Sequence, residues 1–252
     1  MPVGEAVLET KGLTRDFAGF YAVKGVDLRV ARGTIHALIG PNGAGKTTCF
    51  NLLTGFIAPS AGTIAFKGED VTGVKPALLA RRGLVRSFQI SAVFPHLTVL
   101  ENVRIALQRR RGRSFDFFRS HAVLKEFDDR ARALAAKVGL EKFVETPAVE
   151  LPYGRKRALE IATTLALEPE VMLLDEPTAG MGHEDVDRIA ALIQEAAQGR
   201  TVLMVEHNLG VVARLAHRIT VLARGEVLAE GDYAQVSQNP QVKTAYLGTE
   251  HA

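Results

Sequence analysis

The chain has 252 residues, enough to bury about 70 to 75% of its unfolded surface in one large α/β domain or a domain with a subdomain. Lysine and arginine exceed aspartate and glutamate by 31 to 28, a net charge of +3 that suits an anionic ligand or lipid surface but is too small to point to nucleic acid. A single cysteine, Cys49, excludes an internal disulfide, and MPVGEAVLETKG at the start has no basic stretch leading into an apolar core; with no apolar run of about eighteen residues, the expectation is a protein of a reducing cytosol, neither exported nor membrane-spanning.

Val7 to Phe17 and Val26 to Val30 read as short strands that begin the domain in antiparallel fashion, the second alternating Val26, Leu28 and Val30 with Asp27 and Arg29 before an Arg32-Gly33 turn. Phe17, in DFAGFYAV, has two roles open: a ring that stacks on a base, tolerant of base identity, or a core aromatic. Ile35 to Ile39, apolar except for His36, reads as a buried strand. It runs into Gly40, Pro41, Asn42, Gly43, Ala44, Gly45, Lys46, Thr47 and Thr48, which fit the P-loop pattern of glycine, four residues, then Gly-Lys-Thr. A helix over Lys46 to Thr54 completes the strand-loop-helix context that the motif needs, and this context argues against a chance glycine-rich turn. Gly40, Gly43 and Gly45 permit positive φ and close backbone approach, so consecutive N–H groups can face a nucleotide's phosphates. The helix start adds a partial positive charge of about one half. Lys46 is then the β/γ-phosphate contact and the Thr47 hydroxyl a Mg²⁺ ligand.

Pro59 to Gly62 turns into a strand over Thr63 to Phe66, Pro76 to Arg82 is a short helix stopped by Gly83, and Leu84 to Phe88 is a strand ending at Gln89. From Ile90 to about Leu167 the pattern is helical, opening with the capping box Thr98 to Glu101 ahead of Val99, Val103 and Leu107. Within it, RRRGRSFDFFRS, Arg109 to Ser120, reads either as a solvated hairpin tip or as a basic-aromatic contact for nucleic acid or anionic lipid headgroups. Phe127 to Val138 carries Ala131, Leu134, Ala135 and Val138 on one face and stops at Gly139.

Val171 to Leu174 restores the strand pattern and delivers Asp175 and Glu176 at its end; Thr201 to Val205 does the same for Glu206 and His207. Acids where an α/β sheet forms its ligand crevice suggest Asp175 holding Mg²⁺ through water and Glu176 polarising an attacking water, against the plainer reading of a solvated acid pair. His207 is placed to sense a γ-phosphate, although a lone histidine is more often structural. Ile219 to Leu222, Arg224-Gly225 and Val227-Leu228 form a last hairpin, and Tyr233 to Leu247 is helical with a break near Asn239-Pro240.

The ordered set of P-loop, Gln89 after a strand, LPYGRKRALEIA, VMLLDEP and VEHN resembles the ATP-binding subunits of ABC transporters over nearly the whole chain. GFIAPSAGTI, VRSFQ, the basic insertion, DEPTAGM and the ending NPQVKTAYLG are most similar to the ATPases of branched-chain amino-acid importers. The resemblance implies an α/β fold: a P-loop NTPase core with a mainly parallel sheet over residues 1–89 and 168–252, an N-terminal antiparallel β subdomain, and an inserted helical subdomain over 90–167. It implies ATP on Gly40 to Thr48, Mg²⁺ near Thr47, Gln89 and Asp175, Glu176 as catalytic base, His207 at the γ-phosphate and Phe17 against adenine. Leu151, Pro152, Tyr153, Gly154 and Arg155 stand where the family usually has LSGGQ, which contacts ATP held by a second ATPase subunit. Pro152 removes a hydroxyl, Tyr153 replaces a glycine, and Gly182 departs from the Asp or Asn usual after DEPTAG. These departures suggest a heterodimer with a different ATPase chain. Transmembrane permease subunits, and through them a solute-binding protein, complete the implied assembly at the cytoplasmic face of the inner membrane, with no nucleic acid. Urea, amides and aromatic acids stay open as cargo. A soluble ABC ATPase of DNA repair or translation, a P-loop kinase and a binding-only nucleotide switch are the rival readings.

Overall fold

The computed structural model describes residues 4–87, 93–108 and 127–247; Gln89 and the segment 109–120 lie outside the described residues. Two compact units share the chain, one from Met1–Arg86, Glu170–Ala179 and Ala197–Ala252, the other from Ser87–Pro169 and Gly180–Ala196.

The first unit holds two sheets. Strands β1 (Ala6–Phe17) and β2 (Phe20–Ala31) form a long antiparallel pair. Ala18 and Gly19 join them, both at positive φ (51° and 94°), a two-residue turn whose twist suits a hairpin. β4 (Ala61–Phe66) and the two-residue β5 (Glu69–Asp70) extend the sheet in the order β2-β1-β4-β5. β2 begins six residues before the alternating stretch Val26 to Val30, because pairing with β1, rather than burial, sets its length: Phe20 and Tyr21 are exposed and still in register with Phe17 and Asp16.

The second sheet contains β3 (Ile35–Ile39), β6 (Leu84–Ser87), β7 (Val171–Asp175), β8 (Thr201–Val205), β9 (Arg218–Ala223) and β10 (Glu226–Gly231), in the order β10-β9-β3-β8-β7-β6. β9, β3, β8 and β7 run parallel, with β10 antiparallel at the edge. Every residue of β3, β7 and β8 is buried, the reason they read as unbroken apolar runs rather than alternating ones. Parallel pairing brings the C-terminal ends of these strands to one edge, so Gly40, Asp175–Glu176 and Glu206–His207 share it.

Helix α1 (Lys46–Leu53) packs Phe50, Leu52 and Leu53 into one apolar cluster with Leu8, Leu13 and Ile64 of the first sheet and Leu38, Leu173 and Leu203 of the second. Each such side chain contributes about 1.5 to 3 kcal/mol by leaving water. α2 (Pro76–Arg81) has proline at its first turn and ends before Gly83 at φ 101°.

The other unit is helical: α3 (Val99–Gln108), α4 (Asp128–Lys137), α5 (Tyr153–Ala166) and α6 (His183–Ala196). The capping box at α3 is present in both halves, Thr98 N–H donating to Glu101 (2.8 Å) and Glu101 N–H to the Thr98 hydroxyl (3.2 Å). Buried Asn102 ties down the preceding loop, donating to the Phe94, Leu97 and Thr98 carbonyls and accepting from Phe94 N–H. α4 stops at Gly139 (φ 70°). The first unit is completed by α7 (Leu209–Leu215), capped by Asn208, and by α8 (Tyr233–Gln238) and α9 (Pro240–Leu247), which break at Asn239-Pro240.

His36 is the buried exception on β3. Its Nε2 meets the Thr220 hydroxyl at 2.8 Å, while Nδ1 is buried without a hydrogen-bond partner among the described residues. Burial first, and Arg218 second, push its pKa down from 6.5 to about 4. The unfolded chain takes up this proton near pH 6.5 and the folded chain only near pH 4, so the contribution present at neutral pH is lost as pH falls through that window, by about 2 kcal/mol between pH 7 and pH 5. We expect denaturant unfolding of His36→Leu to show a pH slope shallower than wild type by that amount; parallel slopes would refute a neutral core histidine.

Candidate functional site

The phosphate-binding loop is shaped by backbone packed against it. At Gly40 (φ 151°) a Cβ would sit 2.1 Å from the Leu222 carbonyl oxygen of β9; at Gly45 (φ 99°) it would sit 2.2 Å from the Ala22 oxygen of β2. Gly43 (φ 75°) faces open space, so its requirement is conformational alone. The β9-β10 turn braces the same loop, Gly225 N–H donating to Ala44 O (3.1 Å) while the Gly225 carbonyl accepts from Lys24 N–H (2.8 Å). α1 begins at Gly45 with no side-chain cap and no acid in its first turn, leaving its first N–H groups for an anion. A cavity of about 730 Å³ lies on the loop's flank, lined by Pro41, Asn42 and Gly43 with Arg224, Gln241 and Thr244; α9 thus adjoins the loop, a neighbour with no signal in sequence spacing.

Lys46 is buried, its ammonium donating to the Gly40 and Pro41 carbonyls at 2.7 and 2.9 Å. Burial lowers its pKa, and Glu176 and Asp175 oppose that shift, so the loop cation and the acids at the end of β7 lie within each other's field. Thr47 is exposed on the first turn of α1, and Thr48 is half-buried beside it.

Asp175 is almost wholly buried. One carboxylate oxygen pairs with Arg86 of β6, and the other, Oδ1, is buried with no hydrogen-bond partner among the described residues. Such an orphaned acceptor at a phosphate site fits the water shell of a divalent cation. Glu176 takes a left-handed backbone (φ 47°) and its N–H donates to Val205 O (2.9 Å), pinning it to β8. Its Oε1 lies 2.7 Å from His207 Nε2, so the parallel register of β7 and β8 brings the expected base and the expected phosphate sensor into contact.

Glu206, singled out in sequence only as a polar strand end, is a structural anchor. Its buried carboxylate accepts the N–H groups of Thr178 (3.1 Å), His207 (2.7 Å) and Asn208 (3.0 Å) and the Thr178 hydroxyl. It ties the turn after β7 to the turn after β8 and fixes the backbone of His207. An acid directly after a fully buried strand was the available signal. Arg86 had none, since its partners stand 35 and 89 positions away.

Phe17 is half-exposed at the end of β1, opposite Phe20 and thus two residues from the Ala22 carbonyl that meets Gly45. The Arg15 guanidinium lies 4.6 Å from its ring centre, a cation-π contact. Leu151 to Arg155 lie in the helical unit. Leu151 is buried and Pro152 precedes α5 with extended backbone. The Tyr153 hydroxyl accepts from Arg157 (3.1 Å), itself paired to Glu160 (2.7 Å). At Gly154 a Cβ would come within 2.7 Å of the Asp185 and Arg188 side chains on α6, so a larger residue there would have to displace that pair. Arg155 donates to Gly139 O at the end of α4 (2.6 Å). Gln89 lies outside the described residues.

Comparison with known proteins agrees with this geometry. A family profile described as ABC transporter matches residues 23–179, and one described as branched-chain amino acid ATP-binding cassette transporter matches 226–252. The chain is 39% identical over 250 residues to the high-affinity branched-chain amino acid transport ATP-binding protein BraF of Pseudomonas aeruginosa, covering 96% of this chain and 98% of that one. It is 36% identical over 258 residues to LivG of Escherichia coli, described in the same words, covering 98% and 99%. Among solved structures it resembles a nucleotide-free ATP-binding cassette from an ABC transporter, with a TM-score of 0.84, 29% identity and coverage of 96% and 99%. A glycine loop held open by neighbouring backbone, an acid pair at the end of β7 and these matches over almost its whole length lead to one conclusion: the chain belongs to the ABC transporter family, as an ATP-binding transport ATPase.

Proposed function

We propose that the chain hydrolyses ATP at the shared edge of its parallel sheet and couples the reaction to uptake of branched-chain amino acids through separate membrane subunits. The observation that carries the catalytic part is the 2.7 Å contact between Glu176 and His207 beside Lys46 and Asp175. In this reading the uncapped start of α1 and the loop N–H groups bind the phosphates, and Lys46 leaves the Gly40 and Pro41 carbonyls to do so. Glu176 accepts a proton from the attacking water, and His207, donating to Glu176, holds that carboxylate in position. Mg²⁺, when bound, would neutralise phosphate charge, held by Thr47, Asp175 and Gln89. Among the described residues no cluster of three or more histidine, cysteine or acidic side chains can hold a metal alone, in keeping with an ion that relies on phosphate oxygens and water.

The amino-acid cargo rests on the names of the relatives and on the profile at 226–252. No helix among the described residues is long and apolar enough to cross a membrane; in this reading, which the relatives' transport names support, translocation belongs to partner subunits and this chain is peripheral on the cytoplasmic face of the inner membrane. A bacterial ABC transporter cassette that this chain resembles, with 28% identity and a TM-score of 0.74, is dimeric. Pro152 and Gly182 motivate a partner of different sequence, each chain completing the other's ATP site and this one offering the weaker signature.

Glu176→Gln should bind ATP within about threefold of wild type and hydrolyse it about 10² to 10⁴ times more slowly, measured by equilibrium binding and phosphate release; near-normal turnover would remove Glu176 as the base. For the assembly, light scattering of Glu176→Gln with ATP should find a monomer until the partner cassette is added. An ATP-dependent homodimer, with full activity in the wild-type protein alone, would overturn the heterodimer.

A further inference from the structure

Arg86 is the least expected group near the site. It is almost buried (side-chain exposure 9%) and pairs with Asp175 (1%). Its second arm donates to Asn51 Oδ1 on α1 at 2.6 Å, and its guanidinium lies 5.8 and 5.7 Å from the Phe50 and Phe56 ring centres. Three elements, β6, β7 and α1, thus hold one permanently charged fork in place. The ion pair does not exhaust the carboxylate, for Oδ1 is buried with no partner among the described residues.

Charge accounting gives this arrangement a role. Arg86 and Lys46 offset the carboxylates of Asp175 and Glu176 one for one, while that of Glu206 is met by the N–H groups and hydroxyl it accepts. Without Arg86 the site would carry a net negative charge, attracting a hydrated divalent cation before any nucleotide arrives and repelling the triphosphate. With it, Asp175 is compensated and a cation gains little until the phosphates add negative charge. We propose that Arg86 is a built-in counter-ion of Asp175 that makes metal binding conditional on bound nucleotide and lets the triphosphate bind without metal. This rests on the reading above that Asp175 faces the metal; Arg86 is a positioning residue, acting through Asp175.

The test uses the full chain, Mn²⁺ as the probe metal followed by electron paramagnetic resonance, and ATP affinity measured in EDTA. Wild type should show no Mn²⁺ site tighter than about 1 mM without nucleotide, the weak regime of an under-charged site. In Arg86→Met, nucleotide-free Mn²⁺ affinity should rise, and ATP affinity in EDTA should fall, each by at least about tenfold, the size of effect an adjacent opposite charge exerts on a carboxylate. Arg86→Lys, which keeps the charge without the fork, should return both toward wild type. A merely structural role would lower both affinities together and would not be rescued by charge. Tight nucleotide-free Mn²⁺ binding by wild type, or unchanged Mn²⁺ and EDTA behaviour in Arg86→Met, overturns the proposal; the wild-type measurement decides it even if the variant fails to fold. Asp175→Asn separates the two layers. If its ATP complex keeps wild-type Mn²⁺ affinity, the metal-side reading of Asp175 fails; if that affinity is lost while Arg86→Met behaves as wild type, only the counter-ion inference fails.

Discussion

The carbonyl of Ala22 fixes where the phosphate-binding loop runs. Because the Gly45 Cα passes beneath it with no room for a side chain, the start of α1, the first half of β2 and the Arg224-Gly225 turn share one rigid crossing. Within the loop the backbone bond from Ala44 N–H to Pro41 O is 3.2 Å and Lys46 ties the Gly40 and Pro41 carbonyls, while the paths of Gly40 and Gly45 are imposed from outside. An anion site built this way is preorganised: the donors need not be gathered when the phosphates bind, and the entropy of ordering the loop is met by folding. Cα-level crowding at Gly40 by β9 has the same effect at the other end of the loop.

Legibility in the sequence followed burial and locality. β3, β7 and β8 stood out because strands covered on both faces are continuous apolar runs, and their bounds match the expectation within a residue. The capping box and the glycine stops were local patterns and appeared where spacing put them. α6 went unread because its buried stripe, Ile189, Ala190, Ile193 and Ala196, is half alanine and is set among acidic and basic residues; α7, at seven residues, offers too few turns for a period to show. Groups whose meaning lies in a distant partner were out of reach altogether. Arg86 is an ordinary charged residue until the fold places Asp175 beside it, and the strand-end position of Glu206 does not tell that Thr178, 28 positions away, is its partner.

Two different kinds of acid emerge at this sheet edge. Glu206 is saturated by three backbone N–H groups and a hydroxyl, which makes it scaffold. Asp175 and Glu176 keep acceptor capacity or solvent access, which leaves them available for chemistry. Sequence position alone does not separate them, since each follows a buried strand; hydrogen-bond accounting does.

Glu176 sits in a left-handed backbone conformation that costs a non-glycine residue about 1 kcal/mol or more. A glycine here would relieve that strain, so folding stability and chemistry pull in opposite directions at this one position. Under the proposed role of Glu176 as base, a stabilised laboratory variant found here should be suspected first of having lost its reaction.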